Sequence, residues 1–385
     1  MEWIVKRSSE LYVSSSGLSK ASDQFGYGYP FLSYKDVFNN YYAPEELNTF
    51  VNSTEKDRLK CSVKRGDVFL TRTSETTDEL GMSCVALKDY ENATFNGFTK
   101  RLRPLTDEIV PEYAAYFFRS AYFRAQCQSL ASLITRASLN DGMIRRFKIR
   151  FPKEKEKQEK IGKILLTYDT LIENNTKRIR LLEKMAENLY KEWFVRFRFP
   201  GHENVEMENG LPKGWSVVKL GSLANISTGK CNREDAEEDG AYPLFDRSQD
   251  TKRSSKWLKD CEAIIVPGEG TSFMPRYYVG KFNLHQRCYC VEPLVSHMGK
   301  FLFYTIMFYR AYFLSVATGA TVPSLRYNNF AYMKITLPTK DLYTKFDKVV
   351  FGWFAEKDNL QQQNTLLARQ RDLLLPRLMS GKLEV

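Results

Sequence analysis

Residues 160–193 read KIGKILLTYDTLIENNTKRIRLLEKMAENLYKEW, and within them Ile161, Leu165, Tyr168, Ile172, Asn175, Ile179, Leu182, Ala186, Leu189 and Trp193 step alternately by four and three. That period is a heptad seam, the stripe that one helix turns toward another. The charged run Lys153–Glu159 ahead of it has no glycine or proline and reads as the exposed start of the same helix. A second, weaker seam runs through Phe346, Val350, Trp353, Lys357, Leu360, Asn364, Leu367, Arg371, Leu374 and Leu378, with Pro376 near its end, where a helix stops or kinks. Each seam covers about 33 residues, close to 50 Å of helix. Set parallel and in register, Asn175 would face Leu360 and Asn364 would face Ile179, so neither amide finds a partner. Set antiparallel, Ile161 meets Leu378 and Asn175 meets Asn364, which makes these two asparagines the candidate register of an antiparallel pair within one chain. The competing reading leaves each asparagine at a wet edge of its seam.

Working outward, the sequence repeats once. Trp3-Ile4-Val5-Lys6, Leu11 and Ser14-Ser15-Ser16-Gly17 echo Trp215-Ser216-Val217-Val218-Lys219, Leu223 and Ser227-Thr228-Gly229 at an offset of about 212. Thr135-Arg136-Ala137-Ser138-Leu139, leading to Ile149-Arg150-Phe151-Pro152, parallels Thr321-Val322-Pro323-Ser324-Leu325, leading to Ile335-Thr336-Leu337-Pro338, at about 186. The two seams keep step at about 185, so the globular part of the first half is longer by about 27 residues. The frames agree and the contents differ. The predicted architecture is α+β. A mixed α/β globular domain (1–152) is followed by a central long helix (153–199), a second mixed α/β domain (200–338) and a distal long helix (339–385). The helices pair as an antiparallel coiled coil that separates the two domains, with an internal pseudo-two-fold repeat.

The chain's 385 residues suit two domains with cores of their own. A hydrophobic share of 43% and a charged share of 27% exclude disorder and collagen-like repeats. The greasiest stretch, Phe301 to Phe308, is far short of a membrane span. The first residues form no secretory h-region, and the seven cysteines have no CxxC spacing. His202, His285 and His297 make no ligand cluster with them, so no metal site is expected. A reduced, cytoplasmic compartment fits these features, with no membrane partner.

Lysine and arginine total 57 against 46 acids, a net charge of +11. Lys100 to Arg150 holds ten basic residues and four acids, the pattern either of a solvated face or of a phosphate-tracking patch. Candidate DNA contacts in the first domain are Tyr27, Tyr34, Lys35, Arg72, Thr73, Ser74, Arg136, Ser138, Arg145 and Arg146, with Tyr29 beside them. In the second they are Lys230, Arg247, Arg253, Thr271, Thr321, Ser324 and Arg326, with Lys252 and Arg276 nearby. Arginine can grip guanine O6 and N7 together, and hydroxyls hold phosphates or base edges. The plain alternative for each is a surface side chain that touches nothing.

Catalytic motifs are missing. No GxxxxGK[ST] loop, no cofactor-binding glycine loop with an Asn/Asp-Pro-Pro tetrapeptide and no spaced nuclease carboxylates stand out. Pro267-Gly268-Glu269-Gly270-Thr271 has the look of an anion-binding turn, but one such match is weak and an ordinary strand-end turn is the better explanation.

With repeat and seams in place, the chain resembles a type I restriction-modification specificity subunit along its whole length. The carriers are Leu189-Tyr190-Lys191-Glu192-Trp193-Phe194-Val195, Leu211-Pro212-Lys213-Gly214-Trp215 with Lys219-Leu220-Gly221, and Leu373-Leu374-Leu375-Pro376-Arg377-Leu378-Met379-Ser380-Gly381. The resemblance implies two target-recognition domains, each reading half of a bipartite double-stranded DNA target, with the helices as a ruler. It implies two methyltransferase subunits docked on the chain and ATP-dependent restriction subunits as further partners. S-adenosylmethionine, ATP and Mg²⁺ would then sit on those partners, and this chain would bind no cofactor and catalyse nothing. The resemblance also implies a lead-in before the first domain, whereas here Trp3 stands almost at the start. Two other readings stay open. A nuclease with unrecognised carboxylates would cleave DNA alone with Mg²⁺, and a stand-alone two-site architectural protein would bind specific DNA without a methyltransferase.

Overall fold

The computed structural model describes residues 2–76, 78–130, 132–133, 137–319 and 321–385. The charged lead-in and the first seam form one helix, Lys155–Tyr190, extended by a wider turn over Lys191–Val195. Gly162 is required within it, because a Cβ there would lie 2.8 Å from the carbonyl carbon of Glu112. The second seam forms Lys340–Ser380 and runs through Pro376 without stopping. The sequence places a stop or kink there. The helix continues because Leu375, Leu378 and Met379 are buried in a core whose packing outweighs the missing hydrogen bond.

Contacts divide the chain into two units, residues 1–175 with 362–385, and residues 176–361. Each unit therefore contains half of each long helix, whereas the sequence reading kept helices and domains as separate segments. In the first unit, Arg371 pairs with Asp169, Asn175 Nδ2 donates to Gln363 Oε1 at 3.4 Å, and Asn364 Nδ2 donates to the Ile172 carbonyl at 3.5 Å. In the second, Arg178 meets Glu356 at 2.7 Å and Lys357 meets Glu183 at 3.7 Å. In the first unit partners descend one helix as they ascend the other, from Asp169 with Arg371 to Asn175 with Gln363, so the pairing there is antiparallel. Asn175 bonds the neighbour of Asn364, which sets the two asparagines at the same level.

The repeat seen in the sequence is a repeat of topology. In the first unit Trp3–Arg7 pairs with Lys148–Pro152, and in the second Ser216–Lys219 pairs with Lys334–Leu337. Next come Tyr12–Ser16, Thr99–Pro104, Val68–Thr71 and Ser83–Val85, hydrogen-bonded in that order. The second unit matches them with Ala224–Thr228, Cys288–Pro293, Lys259–Pro267 and Arg276–Leu284. Phe25–Leu32, parallel to Thr94–Phe95 and antiparallel to Phe50–Val51, is matched by Tyr242–Phe245, parallel to the end of Arg276–Leu284 and antiparallel to Thr251–Ser254. Gly17 and Gly229, equivalent in the repeat, both leave the first of these strands under a neighbouring backbone. A Cβ would overlap the carbonyl oxygen of Asn96 at one and of Leu284 at the other.

Each sheet is covered by two helices, Pro111–Phe117 with Ala121–Leu130 and Gly299–Phe308 with Arg310–Val316. Aromatic side chains fill the space beneath. Tyr113, Tyr116, Phe118, Phe123 and Phe147 do so in the first unit, and Phe194, Phe301, Phe313, Phe330 and Phe346 in the second. Each unit carries a second core, a larger one in the first around Phe31, Phe69 and Phe95, built largely from the stretch before Val68, and a smaller one in the second around Phe245, Phe282 and Leu284. All seven cysteines are free thiols. Among the described residues no helix is long and apolar enough to cross a membrane, and no group of metal-ligating side chains forms.

Candidate nucleic-acid interface

In each unit three segments distant in sequence meet where the central apolar strand ends. In the first, Arg72 follows Val68–Thr71. Its N–H donates to the Phe98 carbonyl at 3.1 Å, and its own carbonyl accepts from Leu139 N–H at 2.9 Å. In the second, Gly268 follows Lys259–Pro267, donates to the Arg287 carbonyl at 2.7 Å and accepts from Leu325 N–H at 2.8 Å. Thr73 pairs with Ser138 as Glu269 pairs with Ser324. The main chain is thus wired identically, with Ser138-Leu139 and Ser324-Leu325 alike, while the side chains differ at the other three places: Arg72 against Gly268, Thr73 against Glu269, Phe98 against Arg287.

Around the first junction the structure gathers several expected residues. Tyr34 and the exposed Lys35 open a helix, Tyr34–Asn39, capped by Ser33, and the Tyr34 hydroxyl donates to the Thr73 carbonyl at 3.3 Å. Ser74 Oγ is turned inward onto Glu79 Oε2 at 3.0 Å. Arg145 and Arg146 are exposed after the short helix Asp141–Ile144, which follows the Ser138–Leu139 segment. Tyr27 stands half-exposed on Phe25–Leu32, and Tyr29 carries the Arg58 guanidinium 3.8 Å from its ring centroid. Arg136 lies outside the described residues.

The basic window from Lys100 to Arg150 is largely spent on the fold itself. Lys100 bonds Ser16 and Asp141, Arg103 grips Asp67, and Arg119 gathers the carbonyls of Val37, Phe38 and Asn40. Burial pushes the Arg119 guanidinium down to about 10. Arg124 holds the carbonyls of Leu80 and Asp78. A count of charge along the chain could not separate these from surface cations.

The second junction forms a cavity of about 270 Å³ lined by Gly268, Glu269, Arg287, Tyr289, Ser324 and Arg326 among others. Glu269 is its anchor, with Arg247 Nη1 2.7 Å from one carboxylate oxygen and Arg287 Nη1 3.0 Å from the other. Behind it, His285 is buried and its Nδ1 accepts from Arg287 N–H at 3.0 Å. Burial and then the nearby Arg247 charge hold that imidazole below its usual pKa. Asp246 loses some ionisation to burial, but Lys252 and Ser248 outweigh this and keep its carboxyl near 2. Arg276 lies over the Phe245 ring at 4.8 Å and bonds the Asp246 carbonyl. Arg253 is tied to the carbonyls of Gly240 and Ala241, while Lys230, Thr271 and Thr321 are exposed on separate turns. Sequence reasoning passed over Glu269, Arg287 and Phe98 as contacts. The signal available was the Pro-Gly-Glu-Gly turn after an apolar strand, but the residues it meets come from turns far along the chain.

A family model described as the type I restriction modification DNA specificity domain matches residues 2–184 and 212–344. The chain belongs to this family. The matched segments begin and run with the two repeats, so the family's specificity domain occurs twice. Over 424 aligned residues the chain is 26% identical to the type I restriction enzyme MjaIX specificity subunit of Methanocaldococcus jannaschii, covering 100% of this chain and 94% of that one. The type I restriction enzyme EcoDI specificity subunit of Escherichia coli is 31% identical over 177 residues, 45% of this chain and 39% of that one. Among solved structures, the S subunit of a type I restriction-modification system from M. genitalium aligns with a TM-score of 0.62 at 15% identity, covering 98% of this chain and 96% of that one, a likeness of fold. Family membership makes the chain a type I specificity subunit with DNA-recognition domains.

Proposed function

We propose that each unit reads one half of a bipartite DNA target, that the long helices set the gap between the halves, and that methyltransferase subunits dock on the chain to modify adenine. The observation that carries this reading is the pair of strand-end junctions, alike in main-chain bonding and different in three of the side chains they present, Arg72, Thr73 and Phe98 against Gly268, Glu269 and Arg287. Phosphate contacts position a protein on DNA, and side chains at base edges specify sequence, so one frame with two contents suits two half-sites of different sequence. An adenine inside a duplex is out of a methyltransferase's reach until it is extruded, so holding the flanking duplex is a task in its own right. S-adenosylmethionine belongs to the methyltransferase subunits in this scheme, and ATP and Mg²⁺ belong to restriction subunits. The test is to co-express the chain with its methyltransferase subunit in a methylation-free host and sequence the methylated genome. A single gapped motif of two short sequences is the expected result, and ungapped or unspecific methylation would refute it.

A further inference from the structure

We propose that the second unit reads a G·C base pair through Arg287, with Glu269 as the residue that positions it. The inference rests on the reading that each unit recognises one half-site.

The geometry starts from the main chain. Gly268 N–H is bound to the Arg287 carbonyl at 2.7 Å, and a Cβ at Gly268 would stand 2.7 Å from that same oxygen, so only glycine lets the two turns close so tightly. Arg287 N–H is held in turn by His285 Nδ1 at 3.0 Å. The backbone that carries Arg287 is therefore fixed at both its amide and its carbonyl. Its side chain is 54% exposed and that of Arg247 48%, while the carboxylate they share is 17% exposed. A sheltered carboxylate with one accessible arginine on each oxygen orients guanidinium groups without covering them. Nη1 of Arg287 faces Glu269, which leaves Nε and Nη2 of the same planar, half-exposed group as further donors of a residue that lines the cavity.

Charge argues against a simple phosphate seat. A carboxylate in the middle of the cluster repels a phosphate, whereas it fixes the plane and direction of an arginine that must meet two acceptors at once. Guanine presents O6 and N7 as such a pair, and adenine places a donor where O6 would be. The carboxylate is also the group that accepts from cytosine N4, the partner in the same pair. The corresponding places in the first unit hold Thr73 and Phe98, so the proposal concerns one half-site only.

The experiment compares methylated motifs directed by the full chain with its methyltransferase subunit, for the natural sequence, Glu269→Gln, Glu269→Asp and Arg287→Gln. In the natural motif one half contains an invariant G·C pair. Glu269→Gln lowers discrimination at that pair by about 5- to 150-fold, Glu269→Asp restores most of it, and Arg287→Gln shifts the preference there toward A·T. The other half-site stays unchanged in all of them, which also reports that the variant chains fold. Because Arg287 is exposed, its variant decides the matter if Glu269→Gln gives no complex. Uniform weakening of both halves, relaxation at an A·T pair or an unaltered motif overturns the proposal while leaving the two-reader scheme standing. A natural motif with no gap defeats that scheme, and this inference with it.

Discussion

Arg371 reaches Asp169 across the helix pair of the first unit and lies 4.8 Å from the Tyr41 ring centroid, while the Tyr116 hydroxyl donates to the other carboxylate oxygen at 2.5 Å. Both charged side chains are nearly covered, 15% and 10% exposed. Deleting one member strands the other, which costs about 3–5 kcal/mol, whereas replacing both by apolar groups is close to neutral. Urea unfolding of Arg371→Leu is therefore expected to show a loss of about 3 kcal/mol, most of it recovered in the double variant with Asp169→Leu. His285 supplies a second test at this scale. Its folded pKa lies below the unfolded value of about 6.5. Its contribution is complete above that value and declines as pH falls through the folded pKa, where protonation removes the Nδ1 acceptor used by Arg287. Thermal midpoints taken from about pH 7.5 down to pH 5 are expected to fall less for His285→Asn than for the natural chain. At this scale the sequence was only partly legible. Arg72, Thr73 and Ser138 stood out as donors near a strand end and do meet, but Arg287 looked like any polar turn residue, because its meaning lies in a carboxylate eighteen positions away.

The long helices are the elements most completely written in the sequence. A seam with a fixed period is local information, and the alternation of Ile161, Leu165, Tyr168 and Ile172 is enough to find one face. Direction followed from matching the unlike heptad positions of Asn175 and Asn364. Pro376 misled, because a proline's local penalty says nothing about the burial of Leu375 and Leu378 that opposes it. If the helices set the gap, lengthening both by one heptad, after Thr176 and after Gln361, keeps the seam in phase while adding about 10 Å. The methylated motif is then expected to keep its bases and change the gap between them. A change of bases with a constant gap would contradict a ruler.

At the scale of the molecule, duplication was the part of the design that the sequence displayed, through Trp3 and Trp215 at the start of equivalent strand pairs and through the Ser138-Leu139 and Ser324-Leu325 pairs at equivalent junctions. The second core of each unit was not legible, since Phe31, Phe69 and Phe95 in one and Phe245, Phe282 and Leu284 in the other come from stretches whose sequences do not echo each other. The duplication is also imperfect along the helices. Where the first unit buries Asp169 against Arg371, the equivalent layer of the second holds Phe354 and Ala186, both buried among aromatic neighbours. Two first helices from separate nascent chains, laid together, would confront Asp169 with alanine, and two second helices would confront Arg371 with phenylalanine. Either mispairing strands an ion in an apolar layer, so each first helix is steered toward a second helix and away from another copy of itself.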